Sequence, residues 1–159
     1  MYMKNTKFSE ALAIVNENRI FFPDEQVISI FKNDRLAEGW SLDNSVDILL
    51  SNLLGIGEFK LPRRTWIRFF TPDLYDTRAT AVFWYEQTGE NIFPFAAEDP
   101  NRYYISSNGK VYGDIRDVNI LEHYGTFDQD GLYNIIFGKI LKTEELSFDD
   151  DHYDRYSIQ

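Results

Sequence analysis

Few side chains in this sequence are suited to covalent or acid–base chemistry. There are two histidines, His123 and His152, and no cysteine. The absence of cysteine removes disulfides, thiol nucleophiles and thiolate metal ligands together. No Gly-x-Ser-x-Gly elbow accompanies the histidines, and there is neither a P-loop nor a Gly-x-Gly-x-x-Gly run. Gly55-Ile56-Gly57 is a lone Gly-x-Gly after a helical stretch, whereas a dinucleotide site needs it after a strand. Asp114 with Asp117, and Asp128 with Asp130, are carboxylate pairs that could act as acid and base. The plainer reading makes them turn and cap residues. Asp149-Asp150-Asp151-His152 with Asp154 offers oxygen donors suited to magnesium or calcium. It lacks the Gly and the distal Glu of an EF-hand loop, so a solvated acidic tail is the simpler account. No catalytic residue, metal or cofactor is expected.

One basic cluster runs against the overall charge: Lys60, Arg63, Arg64, Arg68 and Arg78, interleaved with Trp66, Phe69 and Phe70. That mixture resembles a single-strand nucleic-acid surface. On a strand, however, Arg64, Trp66 and Arg68 share one face while Thr65, Ile67 and Phe69 share the other. We read an exposed cationic face over a core face, its arginines meeting the protein's own carboxylates.

The elements that must position these groups centre on Arg102 to Gly113. Asn108-Gly109 is the dipeptide of a two-residue type I′ turn, and β-formers flank it. Centring a hairpin there pairs Ser107 with Lys110, Ile105 with Tyr112 and Tyr103 with Asp114. Ile105, Tyr112 and Tyr103 would share one face, Tyr104 and Val111 the other. Apolar residues on both faces place this pair near the middle of a sheet.

Before it, residues 6–20 read as a helix capped by Thr6, with Phe8, Ala11, Leu12 and Val15 at helical spacing. Residues 20–31 fit either a helix entered at Pro23, with Val27, Ile30 and Phe31 buried, or a strand. Ser41 opens a helix whose apolar face is Val46, Leu49, Leu50, Leu53 and Leu54, closed by Gly55. From Gly57 the period shortens. Strands are expected at 58–61, 65–70, 79–85, 91–95 and 118–122, with Pro94 confining its strand to an edge or a bulge. A helix over Asp128–Lys142, weakened at Gly138, closes the fold. The expectation is a single α+β domain over residues 1–146. Its mainly antiparallel sheet of five or six strands packs against N-terminal helices and one C-terminal helix. Residues 147–159 are expected to form a flexible acidic tail.

Composition narrows the function. The chain has 159 residues, 43% hydrophobic and 16% aromatic, enough for one cored domain. There is no N-terminal signal run and no stretch long enough to span a membrane, which points to the cytoplasm. The formal charge of −10, from 16 Lys+Arg against 26 Asp+Glu, disfavours nucleic acid and anionic membrane and favours a basic protein partner.

Leu61-Pro62-Arg63 leads into a strand, and Phe93-Pro94-Phe95 precedes the hairpin Ser107-Asn108-Gly109-Lys110-Val111-Tyr112. Val118-Asn119 then precedes a final helix. This order of features is similar to the SUKH superfamily, over roughly residues 57–142. Phe22-Pro23-Asp24 loosely matches that family's Pro-containing helix entry. The family includes many bacterial immunity proteins, with a sheet backed by helices. The resemblance implies a non-enzymatic protein that binds and neutralises a bacterial toxin; a nuclease toxin would be basic because it grips phosphate. The candidate recognition residues are Asp114, Asp117, Asp128, Asp130 and Asp149 to Asp151. Tyr112 and Tyr124 would serve as exposed aromatic anchors. An adaptor or regulatory protein-binding domain of phage or mobile-element origin is the alternative, and a small enzyme using carboxylates with His123 is a third.

Overall fold

A computed structural model describes residues 6–76, 78–115 and 120–145. The fold is α+β. Its elements in chain order are α1 (Thr6–Asn16), α2 (Glu25–Ala37), α3 (Asn44–Leu53), β1 (Phe59–Lys60), β2 (Trp66–Phe69) and α4 (Arg78–Thr88). They continue as β3 (Ile92–Glu98), β4 (Asn101–Ser106), β5 (Lys110–Ile115), β6 (Ile120–Thr126), α5 (Leu132–Phe137) and β7 (Lys142–Glu145). The seven strands pair in chain order, every neighbour antiparallel. Tail positions 147–159 and the expected strand start at Val118 lie outside the described residues.

The N-terminal helices follow from local signals. In α1 the stripe through Ala11 and Val15 is fully buried. α2 is a helix, not a strand: the Asp24 carboxylate accepts the Val27 amide at 2.9 Å and satisfies one orphan donor of the first turn. No residue of α2 is buried. The expected buried stripe is displaced, since Ile30 is exposed while Val27, Ile28 and Phe31 are half-buried. α3 buries Val46, Leu49, Leu50 and Leu53 as its periodicity predicts. Gly55 follows at φ +100, where a Cβ would collide with the Phe21 carbonyl.

The first helix stops at Asn16, short of the expected residue 20, and three later elements differ more from the sequence expectation. Residues 79–85 are helical within α4. Phe83 and Trp84 are adjacent and both buried, whereas Val82 and Tyr85 on either side are exposed. A strand would alternate instead. Tertiary demand outweighs β-propensity here: Ile92, Tyr104, Tyr112 and Leu121 form an apolar patch on the outer sheet face, and Phe83 and Trp84 cover it. The closing helix is also shorter than expected. It opens as a π-helical turn at Phe127–Gly131 and stops at Phe137. Gly138 at φ +69 is its left-handed cap, after which the chain returns as β7 beside β6. The glycine ends the helix rather than weakening its interior, and the strand count rises to seven.

The hairpin register is the third difference. Ile105 faces Val111, Tyr104 faces Tyr112, Tyr103 faces Gly113 and Arg102 faces Asp114. The loop holds three residues, Ser107 to Gly109, closed by the Gly109 amide on the Ser106 carbonyl at 2.9 Å. Gly109 has φ +80, and Asn108 is not among the residues at positive φ. A type I turn followed by one left-handed residue therefore replaces the I′ turn. The one-residue slip moves Tyr112 to the outer face with Tyr104, and Val111 to the inner face with Ile105 and Tyr103.

The sheet is thus the middle of three layers. Side chains of α1, α3 and α5 pack with Phe93, Phe95, Tyr103, Ile105 and Val111 on its inner face, and α4 lies on its outer face. Both faces of β3 are buried along its whole length, and Pro94 sits at a bulge opposite β4.

Candidate functional site

Three polar assemblies lie around the β4–β5 hairpin. The first is a groove of about 230 Å³ at its tip, lined by Ser45, Ile48, Asn108, Thr126, Phe127 and Asp128 among others. Its frame is tied by hydrogen bonds. The Ser106 hydroxyl accepts the Asn108 and Lys110 amides at 3.2 and 3.1 Å. Its carbonyl accepts the Ser45 hydroxyl at 2.8 Å, fixing the start of α3. The Phe127 amide donates to the Gly109 carbonyl at 2.9 Å, fixing the entry to α5. Asp128 and Ile48 are exposed at this rim. Asp130 is half-buried against Gly125, whose φ of +105 suits only glycine and whose missing Cβ leaves room for that carboxylate.

The second assembly is an ionic cluster on the inner face. Glu98, 4% exposed at the end of β3, accepts two hydrogen bonds from Arg63, both at 2.5 Å. It also accepts the Tyr103 hydroxyl at 2.6 Å and the Thr65 hydroxyl. Arg63 stands in the tight β1–β2 turn and donates as well to the Ile135 carbonyl at 2.9 Å. That bond satisfies one of the last carbonyls of α5. Tyr103 packs edge-on against Tyr124, whose hydroxyl donates to Glu122 at 3.1 Å. Burial pushes the hydroxyls of Tyr103 and Tyr124 well above the ordinary tyrosine range, and the neighbouring carboxylates add to this. Burial also raises Glu122. Its bond from Tyr124 and the Arg63 charge oppose the shift without cancelling it.

The third assembly lies on the outer face. The Glu90 carboxylate accepts the Asn108 amide nitrogen at 2.6 Å and the Tyr112 hydroxyl at 2.7 Å. Burial works against its ionisation. The bonds from Tyr112, Asn108 and Ser106 and the Lys110 charge outweigh that and hold the carboxyl below its usual value. The ring of Tyr112 meets His123 edge-on at 5.1 Å, and His123 Nε2 lies 3.2 Å from Glu144.

The expected recognition residues therefore separate. Asp128 stands at the groove and Asp130 beside it. Asp114 is fully buried, its carboxylate 3.4 Å from the Trp84 indole nitrogen. Tyr112 and Tyr124 are buried rather than exposed. Tyr124 packs into the inner core and Tyr112 into the outer apolar patch with Phe83 and Trp84, so neither ring reaches a partner. Asp117 and Asp149 to Asp151 lie outside the described residues. His123, the candidate of the enzymatic reading, pairs with Glu144 across β6 and β7. Of the basic cluster, Arg68 meets Asp99 from the exposed strand face, as the periodicity predicts, whereas Arg63 pairs with Glu98 from the β1–β2 turn and Arg64 stands in that turn at φ +72, off the strand. The Glu98 cluster itself went unread in the sequence. Its signal was a carboxylate closing the buried run Ile92 to Ala97, since a buried charge requires a partner. Among the described residues no group of three metal-ligating side chains comes together. No described helix is long and apolar enough to cross a membrane. The chain matches no family model, no curated protein and no solved structure.

Proposed function

We propose that this chain is a non-enzymatic immunity-type protein that binds a basic bacterial toxin in the cytoplasm and blocks it. The observation that carries the reading is the rigid groove at the hairpin tip. There an exposed acid, Asp128, stands beside an exposed apolar side chain, Ile48, on a frame cross-braced from α3, the hairpin and the entry to α5. Such a surface combines charge to steer a cationic partner with apolar area to hold it. The formal charge of −10 extends the same preference over the whole chain. The test is co-expression with the protein that an affinity pull-down from the native host recovers, reading growth and that protein's activity. Protection of growth, with Asp128→Asn slowing association and flattening its salt dependence, is the expected result. A partner that is itself acidic, bound indifferently to salt, would remove the toxin reading in favour of an adaptor domain.

A further inference from the structure

Between α1 and α2 the chain presents Ile20, Phe21 and Phe22, with Ile20 77% and Phe22 79% exposed. Three adjacent large apolar side chains at the surface are unusual, because each would be favoured by burial. The segment is also fixed. The amides of Ile20 and Phe21 both donate to the Gly55 carbonyl, at 2.7 and 3.3 Å, and the Gly57 amide donates to the Asn18 carbonyl at 2.8 Å. Arg19 pairs with Ile56 as a β-bridge. Its guanidinium donates to the carbonyls of Asn52, Leu54 and Phe21 at 2.6, 3.1 and 3.2 Å, and to the Asn16 side chain at 2.8 Å. The same guanidinium lies 4.5 Å from the centre of the Phe22 ring. Gly55 admits this approach because it has no Cβ to strike the Phe21 carbonyl. The side chains are thus held outward by backbone contacts that do not need them, which lowers the ordering cost of binding.

We infer that Ile20–Phe22 is the apolar anchor of a docking surface for a basic amphipathic segment of a protein partner. Charge selects the occupant. Glu17, Asp24 and Glu25 flank the anchor and are exposed, and the nearest cation, Arg19, is committed to the contacts above. A second copy would bring these acids against their equivalents on a chain of charge −10, and an anionic lipid surface would meet the same repulsion. The anchor is continuous with the groove. α3 runs from Ser45, which lines the groove, to Leu53, beside the Asn52 and Leu54 carbonyls that hold Arg19. Ile48 and Ser51 are exposed along its outward side. Ten helical residues bridge about 15 Å, so one partner segment can reach both. The identity of that partner rests on the toxin reading; the surface itself does not.

The probe is a synthetic twelve-residue amphipathic peptide of lysine, leucine and phenylalanine. One control replaces lysine by glutamate, and the other replaces the apolar residues by serine. The expected result is saturable binding of the first peptide alone, with amide shifts centred on residues 19–25 and 48–52. Binding should weaken at least about tenfold in the Ile20→Ser/Phe22→Ser double variant. Those side chains are exposed, and near-ultraviolet circular dichroism checks that the variant folds. Equal binding by the double variant, shifts centred elsewhere, equal binding of the acidic peptide, or no binding would each overturn the inference. So would a dimer in sedimentation velocity that the double variant abolishes. Peptide binding without protection of growth removes the toxin and keeps the surface. Protection of growth without the peptide footprint does the reverse.

Discussion

Arg63→Met isolates the electrostatic keystone of the inner face. The substitution keeps most of the stem and deletes the guanidinium. Glu98, only 4% exposed, then retains the hydroxyls of Tyr103 and Thr65 but loses its counter-charge. The Ile135 carbonyl loses its shorter bond in the same step and keeps only the Gly138 amide, at 3.3 Å. Removing one member of a buried pair costs about 3–5 kcal/mol. The Arg63 side chain is 29% exposed, so water can enter beside Glu98, and the lower end applies, about 3 kcal/mol. For a domain of this size that is a fall in Tm of roughly 6–12 °C. Urea unfolding followed by tryptophan fluorescence measures it. Glu98→Gln should cost less than Arg63→Met, because the stranded arginine still reaches solvent. The double variant should cost less than the sum of the two, because it leaves no unpaired charge behind. A loss below about 1 kcal/mol for Arg63→Met, or strict additivity in the cycle, would refute the account of a buried pair.

Gly109→Val should destabilise by more than about 1–2 kcal/mol, the cost of left-handed backbone for an ordinary residue. Space is not the obstacle, because an added Cβ would meet only Thr126 Cγ2, at 3.7 Å. An unchanged Tm would overturn the turn geometry. Two carboxylates should respond to pH with opposite signs. Glu122 is raised in the folded chain, so its ionised form costs stability above its folded pKa, a cost that vanishes below the ordinary carboxylate value of about 4.3. Glu122→Gln should therefore be more stable than the parent at pH 7 and lose that advantage by pH 4. Glu90 is lowered, so its contribution is complete above the ordinary value and fades as pH falls through the folded one. Glu90→Gln should be the less stable at pH 7 and converge with the parent in acid. Unfolding free energies at pH 7 and 4 decide Glu122, and those at pH 7 and well below the ordinary carboxylate range decide Glu90; a reversed order at pH 7 for either variant sinks the assignment.

What the sequence determined by itself is what neighbours along the chain determine. The α3 stripe of Val46, Leu49, Leu50 and Leu53 with Gly55 after it, the Asp24 entry to α2, and a hairpin turning at Asn108-Gly109 depend on spacings of a few residues. The α+β class followed from their order. Apolar residues on both faces of Tyr103 to Tyr112 correctly placed that hairpin in the sheet interior, and Pro94 correctly marked a bulge. Only the tertiary structure decided the rest. The choice between a two- and a three-residue loop depends on the partners available to Ser106 from α3 and to Gly109 from Phe127. That choice sent Tyr112 to one face instead of the other. Residues 79–85 became a helix because a distant apolar patch on the sheet needed cover. Glu98 and Arg63, thirty-five positions apart, found each other only through the pairing of β2 with β3. Burial of Asp114, Tyr112 and Tyr124 follows from the same cause. Local sequence sets which side chains share a face of an element, whereas the face they take and their exposure depend on the pairing and on what the rest of the chain lays over it.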